Sequence, residues 1–249
     1  MFTVAERDRV RERVLTMAAA DSRVVAGALV GGTAGGGGDR WSDLDLTFGV
    51  VDRVPVAEVL GDWTCDLARE LEAVHLFDLP RGSAIYRVFL LPGCLQVDLS
   101  FAPASEFGAR GPRFTLLFGS AVELAQGPRP SAHNLFGLGV HHALRARFCI
   151  ERDRLWHAEY WISAARDEAL ALACRRHGLE TAHGRGFDDL PSEVLVCFRA
   201  ALVRSLDRED LLHALGCVIE ALLQEADETR DVADKVEARL RELTSATLS

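Results

Sequence analysis

The sequence predicts an α+β protein: a mixed-sheet domain over residues 1–125, then an all-helical bundle over 132–249. Three observations carry this. Short β-type runs, punctuated by turn residues, continue up to about Leu124. Beyond residue 131 apolar side chains recur at helical spacing and strand signals stop. Between the two regimes lies Ala125-Gln-Gly-Pro-Arg-Pro-Ser131, whose composition is that of a linker.

Residues 4–20 have a helical pattern, and 24–30 (Val-Val-Ala-Gly-Ala-Leu-Val) form an apolar β-run. A glycine-rich connection leads to a second run at 43–51, and a helix is expected over 56–74. Runs 85–91 and 94–101 are joined by Pro92-Gly93 and read as a hairpin. Residues 114–124 are a weaker run. Helices are then expected over 135–147, 152–177, 192–205, 209–225 and 229–244, with Pro191 and Asp207 as start signals.

Composition narrows the function. With 49% apolar and 26% charged residues over 249 positions, the chain can bury a sizeable core. It has no apolar stretch of the roughly 18 residues that a membrane span needs. The first thirteen residues mix charges and lack an apolar secretory segment, so a cytoplasmic protein is expected. Twenty-eight bases against 37 acids give a net charge of −9. That balance argues against nucleic acid as partner and suits a cationic small substrate. Six cysteines without a C-x-x-C pair read as reduced, four of them in apolar, helix-like contexts where Cys packs as a small hydrophobe. Lys235 is the only lysine, so there is no G-K-[ST] phosphate loop and no Schiff-base lysine.

The informative segment runs from Gly27 to Phe48. A β-run ends at Gly31-Gly32, a glycine-rich connection follows, and Ser42 precedes Asp43-Leu-Asp45, which opens the next run. Side chains alternate along a strand, so Asp43 and Asp45 share a face about 6.5–7 Å apart while Leu44 and Leu46 point into the core. In 94–101, Leu95, Val97, Leu99 and Phe101 form one face and Gln96, Asp98 and Ser100 the other. If the two strands are neighbours, Asp98 joins Asp43 and Asp45 above one sheet. Three crowded carboxylates repel unless a cation lies between them, and Mg²⁺ favours oxygen ligands. Backbone N–H groups at Gly31-Gly32 suit a metal-bound polyphosphate.

These residues resemble the signature of the polymerase-beta-like nucleotidyltransferases. That signature is hydrophobic-Gly-[Gly/Ser], about ten residues, Asp-hydrophobic-[Asp/Glu]-hydrophobic, and a later strand Asp. Here it reads Val30-Gly31-Gly32, ten residues, Asp43-Leu-Asp-Leu46, and then Asp98. The strong likeness covers residues 25–48 and 95–101, with a weaker one around 151–174. Chain length and a helical C-terminal half look most like the aminoglycoside and lincosamide nucleotidyltransferases. The resemblance implies a nucleotidyltransferase domain with Mg²⁺ on Asp43, Asp45 and Asp98, and phosphate contacts from Gly31 and Gly32. It implies transfer of a nucleoside monophosphate from a nucleoside triphosphate, ATP first, to a hydroxyl of a small, antibiotic-like acceptor, with release of pyrophosphate. Many members have Ser where this chain has Gly32, and a base where it has Gly35–Gly38. Thr33 or Ser42 is the candidate for the missing hydroxyl.

The resemblance also points to a general base and a phosphate-binding Arg in the helical half. Arg152, Glu159 and Arg166 recur every seven residues and would share one helix stripe, flanked by Trp156, Ile162, Ala169 and Leu170. Glu159 is the candidate base and Arg166 the candidate phosphate ligand, against the alternative of an ion pair between helices. Tyr160 and Trp161 read as core. His133, His141, His142 and His157 are weighed against zinc because no H-E-x-x-H occurs. A nucleotide-sensing or partner-binding module without turnover is a second expectation, and a transferase acting on protein or tRNA a third. The oligomeric state is left open.

Overall fold

The computed structural model describes residues 1–36, 38–111, 113–125 and 129–244. Gly37 of the glycine run, residues 126–128 of the expected linker and the last five residues of the expected bundle lie outside the described residues. The chain divides into two compact units, Met1–Gly127 and Pro128–Ser249.

The first unit is a six-stranded sheet with two helices. Helix α1 (Val4–Ala20) starts in a capping box in which Thr3 and Glu6 satisfy each other's backbone N–H groups. The strands are β1 (Val24–Val30), β2 (Leu44–Val50), β3 (Val74–Arg81), β4 (Ala84–Leu91), β5 (Leu95–Pro103) and β6 (Phe114–Phe118), in the order β3-β4-β5-β2-β1-β6. Every pairing is antiparallel except β2 with β5, which is parallel. Between β2 and β3, helix α2 (Val56–Leu71) buries Val59, Leu60, Trp63 and Leu67 along one face.

The core follows from strand alternation. Leu44, Leu46, Phe48 and Val50 of β2 and Val97, Leu99 and Phe101 of β5 pack against Val14 and Met17 of α1 and the apolar face of α2. The rings of Phe48, Trp63 and Phe101 meet at 5.1–5.3 Å. A smaller cluster of Ala26, Ala28 and Phe107 lies apart from this core.

The second unit contains α3 (Ala132–Glu151), α4 (Leu155–Arg176), α5 (Ser192–Ala200), α6 (Arg208–Gln224) and α7 (Arg230–Glu242). Ser131 caps α3 by accepting from Asn134 N–H at 3.1 Å. Helices α3, α4 and α6 share a core that includes Phe136, Ile150, Ile162, Leu215 and Leu222. Arg147 is fully buried within it, 2.7 Å from Glu151, and donates to the Leu243 carbonyl.

An α+β chain with its sheet first and its helices second is therefore what the structure contains. Several expected boundaries need correction. The helix expected over 56–74 ends at Leu71, because Glu72 turns left-handed at φ 53°, and Val74 already belongs to β3. Strand β3 was not expected at all. The run 114–124 is a strand only to Phe118, and the helix expected to reach residue 205 ends at Ala200. The helix expected over 152–177 begins only at Leu155. Arg152 caps α3, and Asp153 is left-handed at φ 53°. Of the six cysteines only Cys149 and Cys174 are buried, whereas Cys65, Cys94 and Cys197 are exposed. No helix among the described residues is long and apolar enough to cross a membrane.

Candidate metal centre

The parallel pairing of β2 with β5 assembles the site. Leu44 lies opposite Val97 and Leu46 opposite Leu99, both pairs buried, so the residue between them on each strand points the other way. Those residues are Asp45 and Asp98, directly opposite in register. Asp43, just before β2, joins them. One carboxylate oxygen from each of the three lies within 4.8 Å of the others. All three residues are half-buried, and no other set of three ligating side chains converges this closely among the described residues.

The electrostatics are those of an acidic cluster. Burial pushes the Asp98 carboxyl above its ordinary range, and the neighbouring Asp43 charge adds to this. Gln96 opposes the shift by donating through Nε2 to Asp98 at 3.0 and 3.3 Å. Each additional charge brought together raises the repulsion, which a bound cation would reverse.

The start of the glycine-rich connection lies against Asp45 of this cluster. Residues Gly31–Gly36 form a short 3₁₀ segment directly after β1. Gly31 has φ +69°, and a Cβ there would lie 2.1 Å from Oδ2 of Asp45. Only glycine permits both the left-handed backbone and that approach. Gly32 differs: a Cβ would meet nothing nearer than Ser42 Oγ at 3.6 Å. Thr33 is buried, and its Oγ1 has no hydrogen-bond partner among the described residues.

Ser42, the other candidate hydroxyl, is engaged. Its Oγ donates to Asp39 Oδ1 at 3.1 Å and accepts from Asp39 N–H at 3.0 Å. Arg7, buried on α1, donates to the carbonyls of Asp39 and Ser42 at 2.7 and 2.9 Å. That tie anchors the connection to α1 immediately before Asp43. Sequence reasoning missed both Arg7 and Asp39. The Asp39-x-x-Ser42 spacing was the available signal for the turn, whereas nothing local marks Arg7.

Glu159 and Arg166 belong to the second unit, seven residues apart on α4 and both half-buried. Glu159 accepts from Ser163 Oγ at 2.8 Å, and Arg166 donates to its neighbour Asp167 at 2.9 Å. Arg152 is not on their helix, so the three-residue stripe does not form. Tyr160 is not core; it is 59% exposed. Trp161 is half-buried among the rings of His141, His142, His157 and Tyr160.

No family model matches the chain, and neither does any curated protein. Among solved structures, an aminoglycoside 6-adenyltransferase from Bacillus subtilis is similar over 94% of this chain and 96% of its own, with 12% identity and a TM-score of 0.41.

Proposed function

We propose that the chain is a metal-dependent nucleotidyltransferase. It would move a nucleoside monophosphate from a nucleoside triphosphate, ATP first, to a hydroxyl of a small acceptor and release pyrophosphate. The observation that carries this reading is the convergence of Asp43, Asp45 and Asp98 on one sheet face. The resemblance in the sequence rests on the same three residues together with Val30-Gly31-Gly32.

The residues present fit a hard cation and a polyphosphate. Three carboxylates supply the oxygen donors that Mg²⁺ prefers. Gly31 lets the backbone approach Asp45 where any Cβ would intrude, as a phosphate-cradling turn requires. The orphaned Thr33 hydroxyl can take over the phosphate contact that Gly32 cannot make. Ser42 is better understood as the lock of the turn, since its hydroxyl is already engaged. Bound there, Mg²⁺ would neutralise phosphate charge and lower the pKa of the attacking hydroxyl.

Glu159 as general base and Arg166 as phosphate ligand belong to the same proposal. Each would have to exchange its present partner, Ser163 or Asp167, for substrate. The acceptor would be an aminoglycoside- or lincosamide-like molecule, and the net charge of −9 favours a cationic one. A cytoplasmic, reducing setting agrees with six free thiols.

Gly32 favours one other reading: a module that binds nucleotide without turnover. Pyrophosphate release decides between the two. The chain is incubated with each of the four nucleoside triphosphates, with and without Mg²⁺, against a panel of hydroxyl acceptors. Mg²⁺-dependent release with one nucleotide and one acceptor supports the enzyme. A Mg²⁺-dependent thermal shift without release supports the sensor.

A further inference from the structure

Helices α5 and α6 contribute to a groove of about 600 Å³ that is lined by Cys197, Glu209, His213, Cys217 and Glu220, among others. His213 and Cys217 are four residues apart on α6, so their side chains leave the same helix face. Nε2 of His213 lies 3.7 Å from Sγ of Cys217. In a tetrahedral site, zinc–sulfur bonds of about 2.3 Å and zinc–nitrogen bonds of about 2.0–2.1 Å put two such atoms about 3.5 Å apart. The observed separation is close to that of two ligands of one ion.

Cys197 supplies a second thiol from α5. It lines the same groove as His213 and Cys217. Cys197 and His213 are exposed and Cys217 is partly so, which lets an ion reach them without opening the helix packing. The other charges here are Arg204, which acts on Cys217, Glu220, which holds Arg241 at 2.6 Å, and Glu209 in the first turn of α6. Packing does not require these thiols, in contrast to the buried Cys149 and Cys174.

We propose that His213, Cys217 and Cys197 form a site for a thiophilic divalent cation of the zinc class. As they stand the three ligand atoms do not all lie within 4.8 Å of one another, so the exposed Cys197 side chain must turn toward the His213–Cys217 pair when an ion binds. Binding releases both thiol protons to solvent and leaves a fourth position for water. The donor set is soft where the aspartate cluster is hard, so the two sites sort ions by ligand chemistry.

Co²⁺ titration of the reduced full chain, with Mg²⁺ in large excess, tests this. Thiolate ligation gives an intense sulfur-to-cobalt absorption in the near ultraviolet that carboxylates cannot produce. The band is expected to saturate at one ion per chain, to be displaced by Zn²⁺, and to survive Asp45→Asn. It should vanish in Cys217→Ser and weaken in Cys197→Ser. His213→Ala should loosen binding by about 10-fold or more. Absence of the band overturns the site, as does its persistence in the Cys197→Ser/Cys217→Ser double variant. Saturation at half an ion per chain also overturns it, because the ion would then be shared between two copies. Melting of each variant checks that the helices remain packed. The sulfur band does not report on the aspartates, so its failure and failure of the transferase reading are separate results.

Discussion

Asp45 of β2 and Asp98 of β5 stand directly opposite each other across the one parallel strand pair of the sheet. Parallel pairing keeps equivalent positions of both strands on one face, so two carboxylates of distant sequence origin become neighbours. Asp45→Asn keeps the shape and removes one charge from the cluster. Mg²⁺-dependent turnover is expected to fall by about 100-fold or more, because a metal ligand is lost. The melting midpoint should stay within about 4 °C, since reduced repulsion from Asp98 offsets lost contacts. Steady-state kinetics beside thermal melting checks both halves; full turnover in the variant would end the metal assignment.

The two glycines of the turn should respond oppositely to substitution. Gly31→Ala forces a Cβ into a left-handed position and to 2.1 Å from the Asp45 carboxylate. It should displace Asp45, weaken Mg²⁺ binding and cost about 1–3 kcal/mol of stability. Gly32→Ser adds a Cβ that meets only Ser42, its Oγ at 3.6 Å and its Cβ at 3.9 Å, and has no left-handed backbone to strain. Its stability should change by less than about 1 kcal/mol. If nucleotide binds as proposed, the new hydroxyl should tighten triphosphate affinity. Calorimetric titration of Mg²⁺-nucleotide into both variants separates them.

The legible part of the fold was the part with strong periodicity. Residues 24–30 and 43–51 lie inside the sheet; the first is a continuous apolar run, and the alternation at the start of the second betrays the face it buries. Strand β3 has no such face. Val74, Leu76, Phe77 and Leu79 are exposed at the sheet edge, and Pro80 interrupts the run. The triad was readable because period-2 alternation fixes Asp43 and Asp45 on one side and the strand Asp98 supplies the third. The break at 152–154 was not, because helical periodicity continues across it and the left-handed Asp153 carries no glycine to announce it. Arg7 reaches the turn from 32 residues away in sequence, a distance over which local pattern says nothing.

Acid stability should depend on Asp21. Its carboxylate accepts three hydrogen bonds from Arg23, two from the guanidinium and one from the backbone N–H, and one from Trp63 Nε1 at 3.0 Å. Above all the Arg23 side chain, then Trp63, outweighs burial and holds its pKa at about 2, below the ordinary 3.8. A depressed carboxylate binds fewer protons folded than unfolded, so its contribution is complete above pH 3.8 and is lost as pH falls through about 2. The gap corresponds to about 2 kcal/mol. Asp21→Asn should be less stable than the parent by about this amount near neutrality, and the two stability curves should draw together between pH 4 and 2. Urea unfolding at a series of pH values checks the convergence; a constant offset would mean that the loss is packing around Trp63.

In the helical unit the corresponding test is the buried guanidinium of Arg147. It is fully covered, lies 2.7 Å from Glu151 and donates to the Leu243 carbonyl at 2.7 Å, which ties α3 to the end of α7. A buried charge is costly when its partner is removed but can be replaced by an apolar side chain of similar length. Glu151→Ala leaves the guanidinium without that carboxylate and also removes the partner of Arg208 on α6. It should destabilise the unit by about 3 kcal/mol. Arg147→Met removes the charge itself and fills most of the volume, so it should cost less, even though the Leu243 carbonyl loses its donor. Chemical denaturation of both variants gives the order directly. If Arg147→Met proves the more damaging, the hydrogen bond to the Leu243 carbonyl outweighs the charge.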